Sequence, residues 1–144
     1  MGMEIPGKNG GMTSPLLEPA ERPEGVPDPY LVYVNRMTTV ESQRTIRGAL
    51  DGIVALVMGD DGGLPEHRVT GEDRPWWLLR QEDAQYIRDL LIDRYRKLSP
   101  ANVNKRLVAL RGVLEECWNL GLMSSDDYLR MSRDLKTLPV GGRT

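Results

Sequence analysis

Residues 97–121 read KLSPANVNKRLVALRGVLEECWNLG, a helix with a marked start and a marked stop. Ser99 suits the N-cap, since its hydroxyl can accept a hydrogen bond from an otherwise unpaired N–H of the first turn. Pro100 then stands at the first helical position, where its missing N–H costs nothing. Gly121 falls where a left-handed C-terminal residue is wanted, and Leu122 can fold back on the last turn. Between these signals Val103, Leu107, Leu110, Leu114 and Cys117 recur at steps of three and four, which predicts one apolar face. Asn102, Asn104, Lys105 and Arg106 lie off that face in the first two turns. A helix whose start is polar and basic and whose later turns are core is a candidate for insertion into a nucleic-acid groove.

Working outward, the 144-residue chain is long enough for one domain with tails. Its hydrophobic content of 40% is enough for a globular core, yet no apolar run is long enough to span a bilayer. No basic segment precedes an apolar stretch at the N-terminus, so no signal peptide is expected. Cys117 is the only cysteine, which excludes an internal disulfide and a multi-cysteine zinc site. The expected compartment is the reducing cytoplasm.

The net charge of −2 and isoelectric point near 5.5 argue against a general polyanion binder. The charge is unevenly spread. Residues 1–75 hold seven Lys/Arg against twelve Asp/Glu, and residues 76–144 hold twelve against nine. From Asp93 to Arg111 six cations face one acid. Screening over roughly 10 Å lets such a local basic face act independently of the acidic whole. A solvated helix surface would show the same charges.

Four more helices are predicted. Residues 1–27 are rich in Gly, Pro and Glu without periodicity, and read as a disordered leader. Asp28-Pro29 opens a short helix from Tyr30 to Met37, with Tyr30, Leu31 and Val34 toward the core. A second runs from about Gln43 to Met58 behind a Ser42 cap, with Ile46, Ala49, Leu50, Ile53, Val54 and Val57 as its stripe. Gln43, Arg44 and Arg47 lie in its first turns, off the stripe. Gly48 and Gly52 on this helix can permit close approach of another helix or of a DNA backbone. Gly59 to Arg74 is loop chemistry. Pro75-Trp76-Trp77-Leu78-Leu79 reads as an apolar lid on a small helical core, although a Trp pair can also stack on bases. A third helix runs from Gln81 to Tyr95, with Ala84, Ile87, Leu90, Leu91 and Tyr95 inward and acids in its first turn, where the helix dipole favours them. A short fifth helix follows Ser124 or Ser125, with Tyr128, Leu129 and Met131 as its apolar side. No strand is predicted. The expected fold is an all-α, four-helix bundle-like orthogonal domain with a short fifth helix.

Catalytic constellations are missing. A Cys–His or Ser–His system would have to use His67 from a Gly-rich loop, a poor platform. Adjacent carboxylates such as Glu115-Glu116 and Asp126-Asp127 diverge on a helix. A metal-binding enzyme would have to hold its ion at Asp60, Asp61 and His67.

The order of signals resembles the N-terminal core-binding (SAM-like) domain of tyrosine recombinases, the phage-integrase and Xer family. That family has a capped helix reading roughly S-x-x-T-x-(R/Y)-x-x-A-L, here Ser42-Gln43-Arg44-Thr45-Ile46-Arg47-Gly48-Ala49-Leu50. Its L-T-x-x-D-(V/I) helix start stands here as Leu79-Arg80-Gln81-Glu82-Asp83-Ala84, with Arg80 in place of the usual Thr. Its L-S-x-x-T-(V/I)-N-R-x-L-S-A-L-R-x-(F/V) stands as the run from Leu98 to Val113. Its A-x-x-x-G-L-(I/M)-x-x-(N/D) stands as the run from Cys117 to Asp126. The loop from Gly59 to Arg74 is longer and more acidic than is typical of the family. The resemblance covers about residues 29–138.

The resemblance implies a core-binding domain over 28–137, with 138–144 opening a linker to a catalytic domain that this chain lacks. It implies no catalytic residue here, no metal, no cofactor and no small-molecule ligand. The implied partners are double-stranded DNA of a recombination site and further recombinase protomers on that DNA; no membrane role is implied. Two helix starts would face the major groove, the Ser42–Arg47 and Ser99–Arg106 turns. Arg44, Arg47, Lys97, Lys105 and Arg106 would meet phosphates, and Gln43, Asn102 and Asn104 would lie nearer the bases. The alternative from a different class is a helical protein-interaction module, docking a partner helix on an apolar, Trp-bearing edge.

Overall fold

The computed structural model describes residues 14–59 and 69–139. Its five helices are α1 (Pro29–Arg36), α2 (Val40–Val57), α3 (Gln81–Tyr95), α4 (Pro100–Asn119) and α5 (Ser125–Asp134), with short 3₁₀ turns at Pro15–Leu17 and Trp76–Leu78. Among the described residues there is no strand, and the domain is all-α.

Helix α4 is the axis, in contact with each of the other four. Its ends are built from the residues that mark them. Ser99 Oγ accepts the N–H of Asn102, with Pro100 at the first turn. At the other end Gly121 takes φ +80°. The Leu122 N–H bonds the Cys117 carbonyl at 2.9 Å and the Gly121 N–H bonds the Trp118 carbonyl at 3.0 Å. This pair is a Schellman closure, which satisfies carbonyls that the helix itself leaves open. Val103, Leu107, Leu110, Leu114 and Cys117 are all fully buried.

The other helices start for equally local reasons. Asp28 caps α1 by accepting the Tyr30 N–H, and Ser124 caps α5 by accepting the Asp127 N–H. Helix α3 begins at Arg80, whose side chain offers no acceptor. Asp83 compensates by accepting the Arg80 N–H at 2.9 Å, half of a capping box. Helix α2 differs from its expected start. Thr39, not Ser42, is the cap: its hydroxyl accepts the Ser42 N–H and the helix begins three residues early.

Two further expectations are corrected, and one pair of alternatives is narrowed. The leader is not disordered from residue 14 onward. Leu16 is fully buried, and the Arg74 guanidinium donates to the carbonyls of Leu16 and Leu17. One Leu can be read as part of a polar tail by composition and still fill a core gap. Leu129 is 54% exposed, leaving Met131 as the buried residue of α5. Gly48 and Gly52 admit no helix, for a Cβ at either meets nothing within 4 Å. The Trp pair does form a lid, with Trp76 and Trp77 buried at the edge of the core.

A second hub fixes the loop that enters the Trp lid. Asp51 accepts the Tyr30 hydroxyl at 2.8 Å and the Gly71 N–H at 2.7 Å. Asp28 accepts the Asp73 N–H at 2.8 Å, and Trp76 Nε1 donates to the Gly71 carbonyl at 2.9 Å. Burial pushes the Asp28 carboxyl above the ordinary carboxylate range, and the two backbone hydrogen bonds only partly offset this.

Candidate nucleic-acid interface

The residues singled out in the sequence divide by what their side chains already touch. Ser99, Asn102 and Arg106 bond one another. Asn102 donates to Ser99 Oγ at 3.3 Å, while Arg106 Nη1 donates to the Asn102 carbonyl at 2.9 Å and its side-chain oxygen at 3.2 Å. The Arg106 guanidinium carbon also lies 3.8 Å from the centre of the Tyr95 ring, a cation–π contact. Asn104 is bonded on both amide atoms to the main chain of Leu138. Gln43 donates to the Met37 carbonyl at 3.2 Å. Arg47 pairs with Glu72 at 3.3 Å, its guanidinium 5.6 Å from the centre of the Tyr30 ring. These six side chains are engaged in holding the fold.

Arg44, Lys97 and Lys105 differ. All three are exposed and none has an ion-pair partner among the described residues. Arg96 and Arg111 share both properties. Elsewhere on the surface Arg22, Arg36, Arg47, Arg80 and Arg130 each meet a carboxylate, while Arg133 and Lys136 are exposed without an ion pair among the described residues. The Arg36 partner is Glu116, a buried acid on α4 that sequence periodicity did not single out.

Two of these cations, Arg96 and Lys97, stand where α3 hands over to α4. Leu98 and Ser99 both donate their N–H groups to the Tyr95 carbonyl, making a tight turn that carries Arg96 and Lys97 outward. Lys105 and Arg111 continue the cationic surface along the outward side of α4. Arg96 and Arg111 were missed as candidates because charge near a helix end has a dipole explanation and charge in mid-helix has a solvation one. The available signal for Arg111 was its place on α4 six residues beyond Lys105 and off the apolar stripe.

The two helix starts expected to act together are not side by side. Tyr33 of α1 lies over Gly112 of α4, and Arg36 reaches Glu116. Gln43 is bonded to the end of that same α1, so the start of α2 lies beside the second half of α4. The start of α4 lies instead beside the end of α3 and the tail at Leu138. Along α4, from Ser99 to Gly112 is about 20 Å at 1.5 Å per residue. Asp60, Asp61 and His67, named as the only metal option, lie outside the described residues. Among the described residues no helix is long and apolar enough to cross a membrane.

Comparison with protein-family models, with curated proteins and with solved structures found no match.

Proposed function

We propose that this chain is the DNA-binding core-binding domain of a tyrosine recombinase of the phage-integrase family. It grips recombination-site duplex DNA through the major groove during site-specific recombination and DNA integration, and it acts on the DNA beside further recombinase protomers. The chemistry of strand cleavage belongs to a separate catalytic domain of such enzymes, and no residue here is given a catalytic role.

The observation that carries the reading is the uncompensated cationic surface at the α3–α4 turn and along α4. In an acidic chain that pairs five arginines with carboxylates, Arg96, Lys97, Lys105 and Arg111 stand exposed without partners among the described residues. Cations grouped this way repel one another, and a polyanion relieves that repulsion while releasing its own counterions. The motif order along the sequence supports the same reading. So does the all-α architecture built around a capped α4.

The internal bonds refine the roles. Arg96 and Lys97 on the α3–α4 turn, with Lys105 and Arg111 on α4, are the phosphate contacts, and Arg44 is a separate contact from α2. Ser99, Asn102 and Arg106 shape the start of α4 rather than meeting DNA first.

The test is binding of the full chain to fluorescent duplex DNA, followed by anisotropy. Lys97→Glu and Lys105→Glu alter exposed side chains, so the thermal melt stays as in wild type. Each reversal is expected to weaken binding by about tenfold, on the scale of one lost phosphate contact at ~0.1 M salt. Wild-type affinity in both variants would instead favour the protein-interaction module.

A further inference from the structure

We propose that Val108 is the residue through which α4 reads sequence, by contacting the C5-methyl group of a thymine in the major groove. The inference rests on the DNA-binding reading above and adds to it a base preference.

Val108 is 51% exposed although it stands in the middle of a helix whose opposite side is core. It belongs neither to the buried core nor to the partly buried residues packed against it. It borders a shallow cavity of about 350 Å³ together with Tyr33, Arg111, Gly112, Glu115 and Tyr128. The tyrosines flank this hollow on α1 and α5 and leave the valine uncovered.

Its neighbours say what kind of surface would meet it. Lys105 stands three residues before and Arg111 three residues after, both exposed and without ion-pair partners among the described residues. At 100° per residue, each cation is turned about 60° from Val108, one to either side, and displaced about 4.5 Å along the axis. Two positive charges splayed about an aliphatic centre match a groove with a phosphate backbone on each wall and base edges on its floor. The major groove, about 12 Å wide, admits a helix in this way. The one apolar group on its floor is the thymine methyl, and it is absent from the other three bases. A valine cannot hydrogen-bond to a base edge, so the methyl is the feature it can distinguish. Glu115, one turn beyond Arg111, lines the same hollow and ends the cationic strip.

The experiment selects bound duplexes from a random 20-base-pair DNA pool with the full chain and with Val108→Ser. Affinities are then measured for the selected duplex and for the same duplex with deoxyuridine at the enriched thymine, which removes the methyl and leaves pairing intact. Wild type is expected to enrich thymine at one fixed position and to bind the deoxyuridine duplex about fourfold more weakly, the factor for one buried methyl-sized group. Val108→Ser, with an unchanged thermal melt, is expected to bind both duplexes equally. Binding that Lys105→Glu weakens but that ignores the methyl, or a Val108→Ser variant that still discriminates, overturns this inference and leaves the DNA-binding reading standing. Failure of wild type to bind any duplex overturns both.

Discussion

Asn104 holds Leu138 by both of its main-chain groups: the carboxamide nitrogen donates to the Leu138 carbonyl at 2.8 Å, and the carboxamide oxygen accepts the Leu138 N–H at 2.6 Å. The contact ties the segment after α5 to the first turns of α4, thirty-four residues away in sequence. Arg88 adds a bond to the Lys136 carbonyl, and Leu135 is fully buried. Asn104→Ala removes both bonds and is expected to lower stability by about 1–3 kcal/mol, at ~0.5–1.5 per hydrogen bond. Denaturant titration gives the stability, and hydrogen exchange at the Leu138 amide should lose its protection. Unchanged stability with complete loss of DNA binding would mean that this side chain reads DNA instead.

Gly71 is the tightest backbone position in the hub under the Trp lid. A Cβ there would stand 2.7 Å from the Tyr30 ring and 2.9 Å from the Trp76 ring, and both rings are fully buried. Neither can swing out without opening the core. Gly71→Ala should therefore cost about 1–3 kcal/mol, the usual range for overpacking. Gly48→Ala is the control: its Cβ meets open space, and alanine favours a helix by about 1 kcal/mol over glycine. A thermal melt that falls for the first and rises for the second bears out both positions.

The lone cysteine should be silent in the native protein. Cys117 is fully buried on α4, and burial, with smaller contributions from Asp28 and Glu116, pushes its thiol far above the usual range. Only the thiolate reacts readily with disulfide reagents. Labelling is expected to proceed at the rate of global unfolding and to become fast in denaturant. Rapid native-state labelling would show that this part of α4 opens independently of the fold.

The buried carboxyls Asp28 and Asp83 give stability an unusual acid branch. Burial raises both above the ordinary value of 3.8, partly offset by the backbone N–H groups each accepts. Through the range between the raised values and 3.8 the folded state binds more protons than the unfolded chain. Their contribution to stability is then present in full below 3.8 and is lost as pH rises through the raised values. Wild type should gain on Asp28→Asn as pH falls through that window, measured as paired denaturant titrations. A difference that stays constant, or shrinks on acidification, contradicts the assignment at Asp28.

How much of this was legible in the sequence depends on whether the cause was local. The cap at Ser99, the glycine stop at Gly121 and the range of α3 follow from side chains near the backbone they serve, and the structure agrees. The start of α2 went astray because Thr39 and Ser42 are both competent caps, and only the chain's path after α1 decides between them. Leu16 entered the core from a stretch whose composition is that of a tail. The site was harder still. Arg47, Asn104 and Arg106 have the right chemistry to bind DNA, but Glu72, Leu138 and Tyr95 occupy them. Those partners lie between eleven and thirty-four residues away, so no local pattern announces them. What remains exposed without an ion pair among the described residues is a smaller set than the motif suggested: Arg44 on α2, Lys97 in the turn before α4 and Lys105 on α4.

The most direct test of the central claim is the salt dependence of duplex binding by the full chain. Arg44, Arg96, Lys97, Lys105 and Arg111 amount to four or five phosphate contacts. They predict a slope of about −4 in log K against log salt over roughly 50 to 200 mM. Lys105→Glu should flatten that slope by about one. Affinity that is indifferent to salt, with wild type and Lys105→Glu indistinguishable, would contradict the account.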